Sequence, residues 1–139
     1  MGTSSLVRIK NGDNKILVTI YRQSDGFPTG MGNDLLKILN NGYCTIVDGI
    51  QSGQNIPRYF NGIECLAAHV VRRLKEDIGN VYIYPVDSED ELYVYTLSEV
   101  DSQVWMTIFA DLEIYNGPLK DFNAGQVERE YYKQYENEE

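Results

Sequence analysis

The chain is poor in cations, in histidine and in long apolar runs. Lys and Arg total 12 against 21 Asp and Glu, with a single His, giving a net charge of -9 and a pI near 4.5. That balance argues against general binding to duplex nucleic acid, which relies on Lys and Arg neutralising phosphates. No apolar run approaches the ~20 residues that span a bilayer, so no membrane partner is expected. Cysteine is scarce: Cys44 and Cys65 form no Cys-x-x-Cys pair, which argues against a disulfide framework. The opening MGTSSLVRIKNG has no signal-peptide apolar stretch. A cytoplasmic protein with free thiols is the expectation.

What is present suits one folded domain. The length is 139 residues, with 42% hydrophobic and 24% charged residues, an ordinary globular composition. Tyrosine stands out, at 11 residues. The charge is divided. Residues 1–86 hold nine Lys+Arg and seven Asp+Glu, a balance of +2; residues 87–139 hold three and fourteen, a balance of -11. The acidity belongs to the C-terminal half, so a compact anion site in the first half remains open.

Leu6 to Lys10 and Lys15 to Arg22 read as a hairpin about the turn Asn11-Gly12-Asp13-Asn14. The turn-rich SDGFPTGMGN then leads to a short helix through Leu35, Leu36, Ile38 and Leu39, with Asn33 or Asp34 as cap. Thr45 to Val47 reads as a brief strand and Gly49 to Asn55 as a loop. Ile63 to Asp77 is the clearest helix, its apolar stripe formed by Ile63, Leu66, Ala67, Val70, Val71, Leu74 and Ile78. Strands follow at Val81 to Val86, Leu92 to Leu97, Val104 to Ala110 and Leu112 to Tyr115, with Asn116-Gly117-Pro118 as a breaker. The expected fold is a single α+β domain over residues 1–125. Its sheet is mostly antiparallel, with two helices packed on one face, in the order ββααββββ. An acidic tail, residues 126–139, is either a marginal helix or disordered.

Three constellations carry possible chemistry. The first is YRQSDGFPTGMG, Tyr21 to Gly32, a strand, a glycine-rich turn and a helix start. A helix N-terminus favours an anion, and glycines allow close backbone approach. Arg22 shares parity with Ile16, Val18 and Ile20, which places it on the helix-covered side near the loop. Neither a Walker A nor a Rossmann glycine spacing is present. The competing reading is a tight turn with an internal Arg22–Asp25 ion pair. The second constellation is the helix face bearing Cys65, His69, Arg72 and Glu76. Cys65 and His69 suggest a nucleophile and base, or zinc ligands with Cys44; the competing reading is a packed thiol and a rim histidine. Arg72 and Arg73 suit an anion or a solvated helix face. No catalytic, metal or cofactor assignment follows.

The third is a tyrosine face. VYIY and YVY alternate aliphatic with tyrosine. As a hairpin with Tyr84 opposite Tyr93 and Tyr82 opposite Tyr95, they make one face tyrosine and the other aliphatic. Such a face stacks a base or calls for cover from the tail or a second copy, so a homo-oligomer is expected. Trp105 and Phe109 share a face of their own strand and extend that surface. The acidic DSEDE turn between the strands reads as a solvated hairpin tip.

YRQSDGFPTGMGNDLLKIL resembles a YRxxDGxPxGxGxxL signature, and FNGIECLAAHVVRRLK resembles FNGxxxLAAxxxxxLK. With the tyrosine-rich strands after them, these segments resemble a family of small, largely uncharacterised proteins of bacteria, archaea and their phages. The resemblance spans about Lys15 to Leu97. It implies a shared site at Tyr21, Arg22, Asp25, Gly26, Pro28, Gly30, Gly32, Asn61 and Gly62. Gln23 stands where members often carry His, and Phe27 where they often carry Tyr, so a role needing that His does not transfer. A phage association would suit a counter-defence protein that sequesters a nucleotide signal in the host cytoplasm.

The leading expectation is a non-enzymatic binder of a small anionic, nucleotide-like ligand. Arg22 and the loop Gly26 to Gly32 would hold the phosphate, Arg72 or Arg73 would add charge, and Tyr82, Tyr84, Tyr93 or Tyr95 would stack the base. The alternatives are a protein-interaction module docking through the acidic tail and hairpin tip, and a hydrolase built on Cys65 and His69.

Overall fold

The computed structural model describes residues 2–40, 46–47, 60–89 and 92–137. Cys44 and the loop expected at 49–55 lie outside them, as do Asp90 and Glu91 of the acidic turn.

The N-terminal hairpin forms as its turn chemistry dictates. Strands β1 (Ser5–Lys10) and β2 (Ile16–Arg22) pair antiparallel. Asn11 Oδ1 accepts from the backbone N–H of Asp13 and Lys15, and Asn14 takes the left-handed φ of 62° that asparagine tolerates. The turn after β2 closes into a π-helical turn, Pro28–Gly32, which runs directly into helix α1 (Asn33–Asn40). Two-residue strands β3 (Ile46–Val47) and β4 (Phe60–Asn61) pair parallel beside helix α2 (Gly62–Leu74). The α2 stripe is buried as its spacing requires, at Ile63, Leu66, Ala67, Val70 and Leu74. The helix stops at Leu74, earlier than the sequence suggested. Ile78 therefore leaves the stripe and is 97% exposed.

Strands β5 (Val81–Tyr84), β6 (Tyr93–Val100), β7 (Gln103–Ala110) and β8 (Leu112–Pro118) complete a six-stranded sheet in the order β5-β2-β1-β6-β7-β8. All pairs are antiparallel except β1–β6. Pro118 is accommodated at the end of the β8 edge, so the expected breaker does not end the strand at Tyr115. Helix α3 (Ala124–Asn137) follows. The fold is thus α+β, with a mixed, mostly antiparallel sheet and, among the described residues, three α-helices. The stretch read as a tail joins the core through Val127 and Tyr131. No helix among the described residues is long and apolar enough to cross a membrane.

One expectation fails at the level of topology. β5 and β6 do not form a hairpin: β1 and β2 lie between them. The described part of the connection, 85–89, runs along the helix-free face, held by Thr19 Oγ1 donating to Val86 O and by Arg8 Nη2 donating to Ser88 O. The two tyrosine pairs consequently part. Tyr82 pairs with Tyr21 on the helix-free face, in a row that continues through Leu6, Val94 and Phe109. Tyr93 and Tyr95 pair with Ser5 and Val7 on the helix-covered face and are buried. A short local connection was the economical reading of the sequence. The N-terminal hairpin supplies two strands longer than β5 and inserts between it and β6.

Candidate functional site

Arg22 lies where strand parity places it, on the helix-covered face at the end of β2, only 7% exposed. Its Nε donates to Ser24 O at 2.8 Å, Nη2 to Asp25 O at 3.0 Å, and Nη1 to Asp34 Oδ2 at 2.7 Å. The ion pair is with Asp34 of α1, and from Asp25 only the backbone carbonyl takes part. A buried guanidinium needs such partners, because an unpaired buried charge is strongly disfavoured. Three of its five N–H groups are engaged in shaping the loop.

The glycines are explained by close approach within the chain. A Cβ at Gly26 would sit 2.6 Å from Ser4 O, and one at Gly30 would sit 2.2 Å from Asp25 O. One at Gly32 would meet the Phe122 ring at 2.7 Å. Pro28 opens the π-helical turn, where its fixed φ fits and its missing N–H is no loss. The loop N–H groups are also occupied. Gly26 N donates to Thr3 O, Gly30 N to Phe27 O, and Met31 N to Asp25 O. Thr29 donates from both N and Oγ1 to Glu128 Oε1, at 2.7 and 2.8 Å. The anion that this turn attracts is a carboxylate of the protein's own α3. The N–H groups of Gly26, Thr29, Gly30 and Met31 are thus engaged by the chain itself.

Beside the loop opens a cleft of about 400 Å³. One wall is α1, through Asp34, Lys37 and Ile38. The other is the end of α2 and the turn after it, through Arg73, Leu74, Glu76 and Asp77. Arg22, Asp25, Asn80 and Val81 close the base. The turn is fastened to the loop by Gln23 N donating to Asn80 O and by Ser24 Oγ donating to Asn80 Oδ1. Three cations therefore face one space. Among the described residues, only Arg22 of the three is in an ion pair.

Other expected site residues are dispersed. Asn61 and Gly62 lie at the opposite end of α2, about 18 Å from Arg73 by helical rise; Gly62 takes φ 86°, a backbone demand. Arg72 is exposed, and it does not line the cleft. Tyr21 and Tyr84 stack with centroids 4.5 Å apart and planes 6° apart, and Tyr82 leans against Tyr21 at 6.1 Å. That cluster is on the far face of the sheet from the cleft. Tyr95 donates its hydroxyl to Gly26 O at 2.6 Å and supports the loop from beneath. Tyr93 meets the Tyr131 ring edge-on. Neither Tyr93 nor Tyr95 is placed to stack a base. Trp105 and Phe109 share the helix-free face with Tyr82 and Tyr84.

Cys65 is exposed with a free thiol. His69 rests against Phe60, ring centroids 5.3 Å apart. Burial holds its imidazole below the usual range, and the charges of Arg73 and Arg72 add to that shift. Among the described residues no group of three His, Cys, Asp or Glu could hold a metal ion. Because β5 and β6 do not pair, the acidic DSEDE stretch is not a hairpin tip.

Two contributors escaped sequence reasoning. Lys37 follows Asp34 by three residues on α1, which puts them on one helix face; that spacing was a usable signal. Glu128 reaches Thr29 across 99 residues, and no local pattern announces it. Comparisons with protein-family models, curated proteins and solved structures find no match.

Proposed function

We propose that this chain is a non-enzymatic binding protein for a small anionic, nucleotide-like ligand, seated in the cleft between α1 and the end of α2. The observation that carries the reading is the convergence of Arg22, Lys37 and Arg73 on one space of about 400 Å³. That volume is in the range of small-molecule sites. Arg73 presents a guanidinium suited to bidentate phosphate contact, and Lys37 adds a point charge. The lining also carries acceptors, Asp77 and the side chain of Asn80, which match the N–H and O–H donors of a base and sugar. Arg22 acts in this reading mainly as the strut that fixes the cleft floor.

Calorimetric titration with nucleoside mono-, di- and cyclic phosphates tests it. Lys37→Glu and Arg73→Glu are each expected to weaken binding at least about tenfold, the loss of one charge-assisted contact. Both residues are surface groups, so the fold should persist. Absence of binding by every nucleotide, or an affinity unchanged in the double variant, overturns the proposal. Arg22→Ala is the poorer test, because it orphans two carbonyls and Asp34 and disturbs the loop itself.

A further inference from the structure

The β5 edge carries a geometry that selects its own partner. In the β2–β5 ladder Tyr21 faces Tyr82 and Ile20 faces Ile83. The bond from Gln23 N to Asn80 O continues that register and fixes its hydrogen-bonding phase. Residues 80, 82 and 84 turn their backbone groups toward β2, while 81, 83 and 85 turn theirs outward. Of the outward three, Val81 is engaged: its N–H donates to Gly79 O, and its carbonyl accepts from Lys75 Nζ at 2.7 Å. Pro85 has no N–H to offer. Ile83 alone presents both an outward N–H and an outward carbonyl, and its side chain is 60% exposed.

We infer that this edge pairs with a second copy of the chain, antiparallel, with Ile83 opposite the partner's Ile83. A two-fold axis normal to the sheet keeps every residue on its own face, so only residues of like parity can oppose one another. With Val81 engaged and Pro85 lacking an N–H, one register is left. It exchanges two bonds between the Ile83 backbones and places Tyr82 opposite the partner's Tyr84. The Tyr21–Tyr82–Tyr84 cluster then continues across the axis. Short strand, flanking proline and flanking lysine also stop the pairing from propagating, so a closed dimer results.

Sedimentation equilibrium of the full chain tests this. The wild type should reach twice 15.9 kDa with rising concentration. Ile83→Pro removes only the outward N–H, at the kind of edge position where proline is tolerated. It should weaken the dimer at least about tenfold while far-UV circular dichroism is kept. Ile83→Lys, which sets two ammonium groups across the axis, should do the same without any backbone change. A wild type that remains monomeric at millimolar concentration overturns the inference, as does a dimer indifferent to both Ile83 variants.

Discussion

β5 and β6 carry nearly the same pattern, VYIY and YVY, and meet opposite fates. In β5 the tyrosines Tyr82 and Tyr84 stand on the helix-free face, 42% and 36% exposed. In β6 the tyrosines Tyr93 and Tyr95 stand under the loop and α3, 3% and 0% exposed. Alternation encodes that two residues share a face; it does not encode which face. The choice is made by the neighbouring strands. β6 lies centrally between β1 and β7, where its opposite side chains, Val94 and Thr96, take the outer face. β5 lies at the edge, where Val81 takes the core position and leaves the tyrosines outside.

The sharpest way to break this comparison is to truncate one tyrosine from each strand. Tyr95→Ala empties a fully buried site and removes the donor to Gly26 O. It should cost about 3–5 kcal/mol, the range for large aromatic truncations in cores, read from urea unfolding. Tyr82→Ala should cost under about 1 kcal/mol, as a surface change. Equal losses would mean that the two faces are not distinguished in solution.

Alkaline pH divides the same residues without truncating any. Burial pushes the phenols of Tyr93 and Tyr95 well above the usual tyrosine range, and Tyr132 adds to the shift at Tyr93. Folded pKa values raised above the unfolded value of about 10 mean that the native state holds protons the unfolded chain releases. The stability linked to these groups is therefore complete below pH ~10 and declines as pH rises beyond it. Tyr93→Phe with Tyr95→Phe should flatten the fall in urea midpoint between pH ~9 and ~11. An unchanged slope would place those hydroxyls in water.

Local rules made much of this molecule legible. The Asn11 turn, the α2 stripe and the strand–turn–helix form of Tyr21 to Gly32 all follow from propensity and spacing. Arg22 was placed correctly by parity alone. The larger errors share one physical origin, which is distance along the chain. The insertion of the N-terminal hairpin between β5 and β6 depends on which strands bury more, a property of the whole sheet. The capping of Thr29 by Glu128 likewise depends on where α3 docks, and that docking rests on Val127 and Tyr131. The glycine signature was visible, and its cause was not, because Ser4, Asp25 and Phe122 come close to those glycines only after folding. The cleft itself needs the end of α2 beside α1, so Lys37 and Arg73 joined Arg22 only in three dimensions.

The smallest effect concerns the exposed pair, and it decides whether the outer cluster is an interaction or a coincidence of register. Tyr21 and Tyr84 are diagonal neighbours across β2 and β5, stacked nearly parallel at 4.5 Å. Their offset contact resembles the stacked geometry worth ~0.5–1.5 kcal/mol beyond area burial. A double-mutant cycle with Tyr21→Leu and Tyr84→Leu isolates that coupling, because leucine retains apolar cover while removing the ring contact. The expected coupling lies in that range. The same cycle between Tyr21 and Tyr95, on opposite faces of the sheet, should give none. If the first coupling vanishes, the stacked geometry contributes nothing to ordering the β5 edge. If it holds, the ring is already fixed before a second chain arrives, and the ordering cost of pairing at β5 is correspondingly lower.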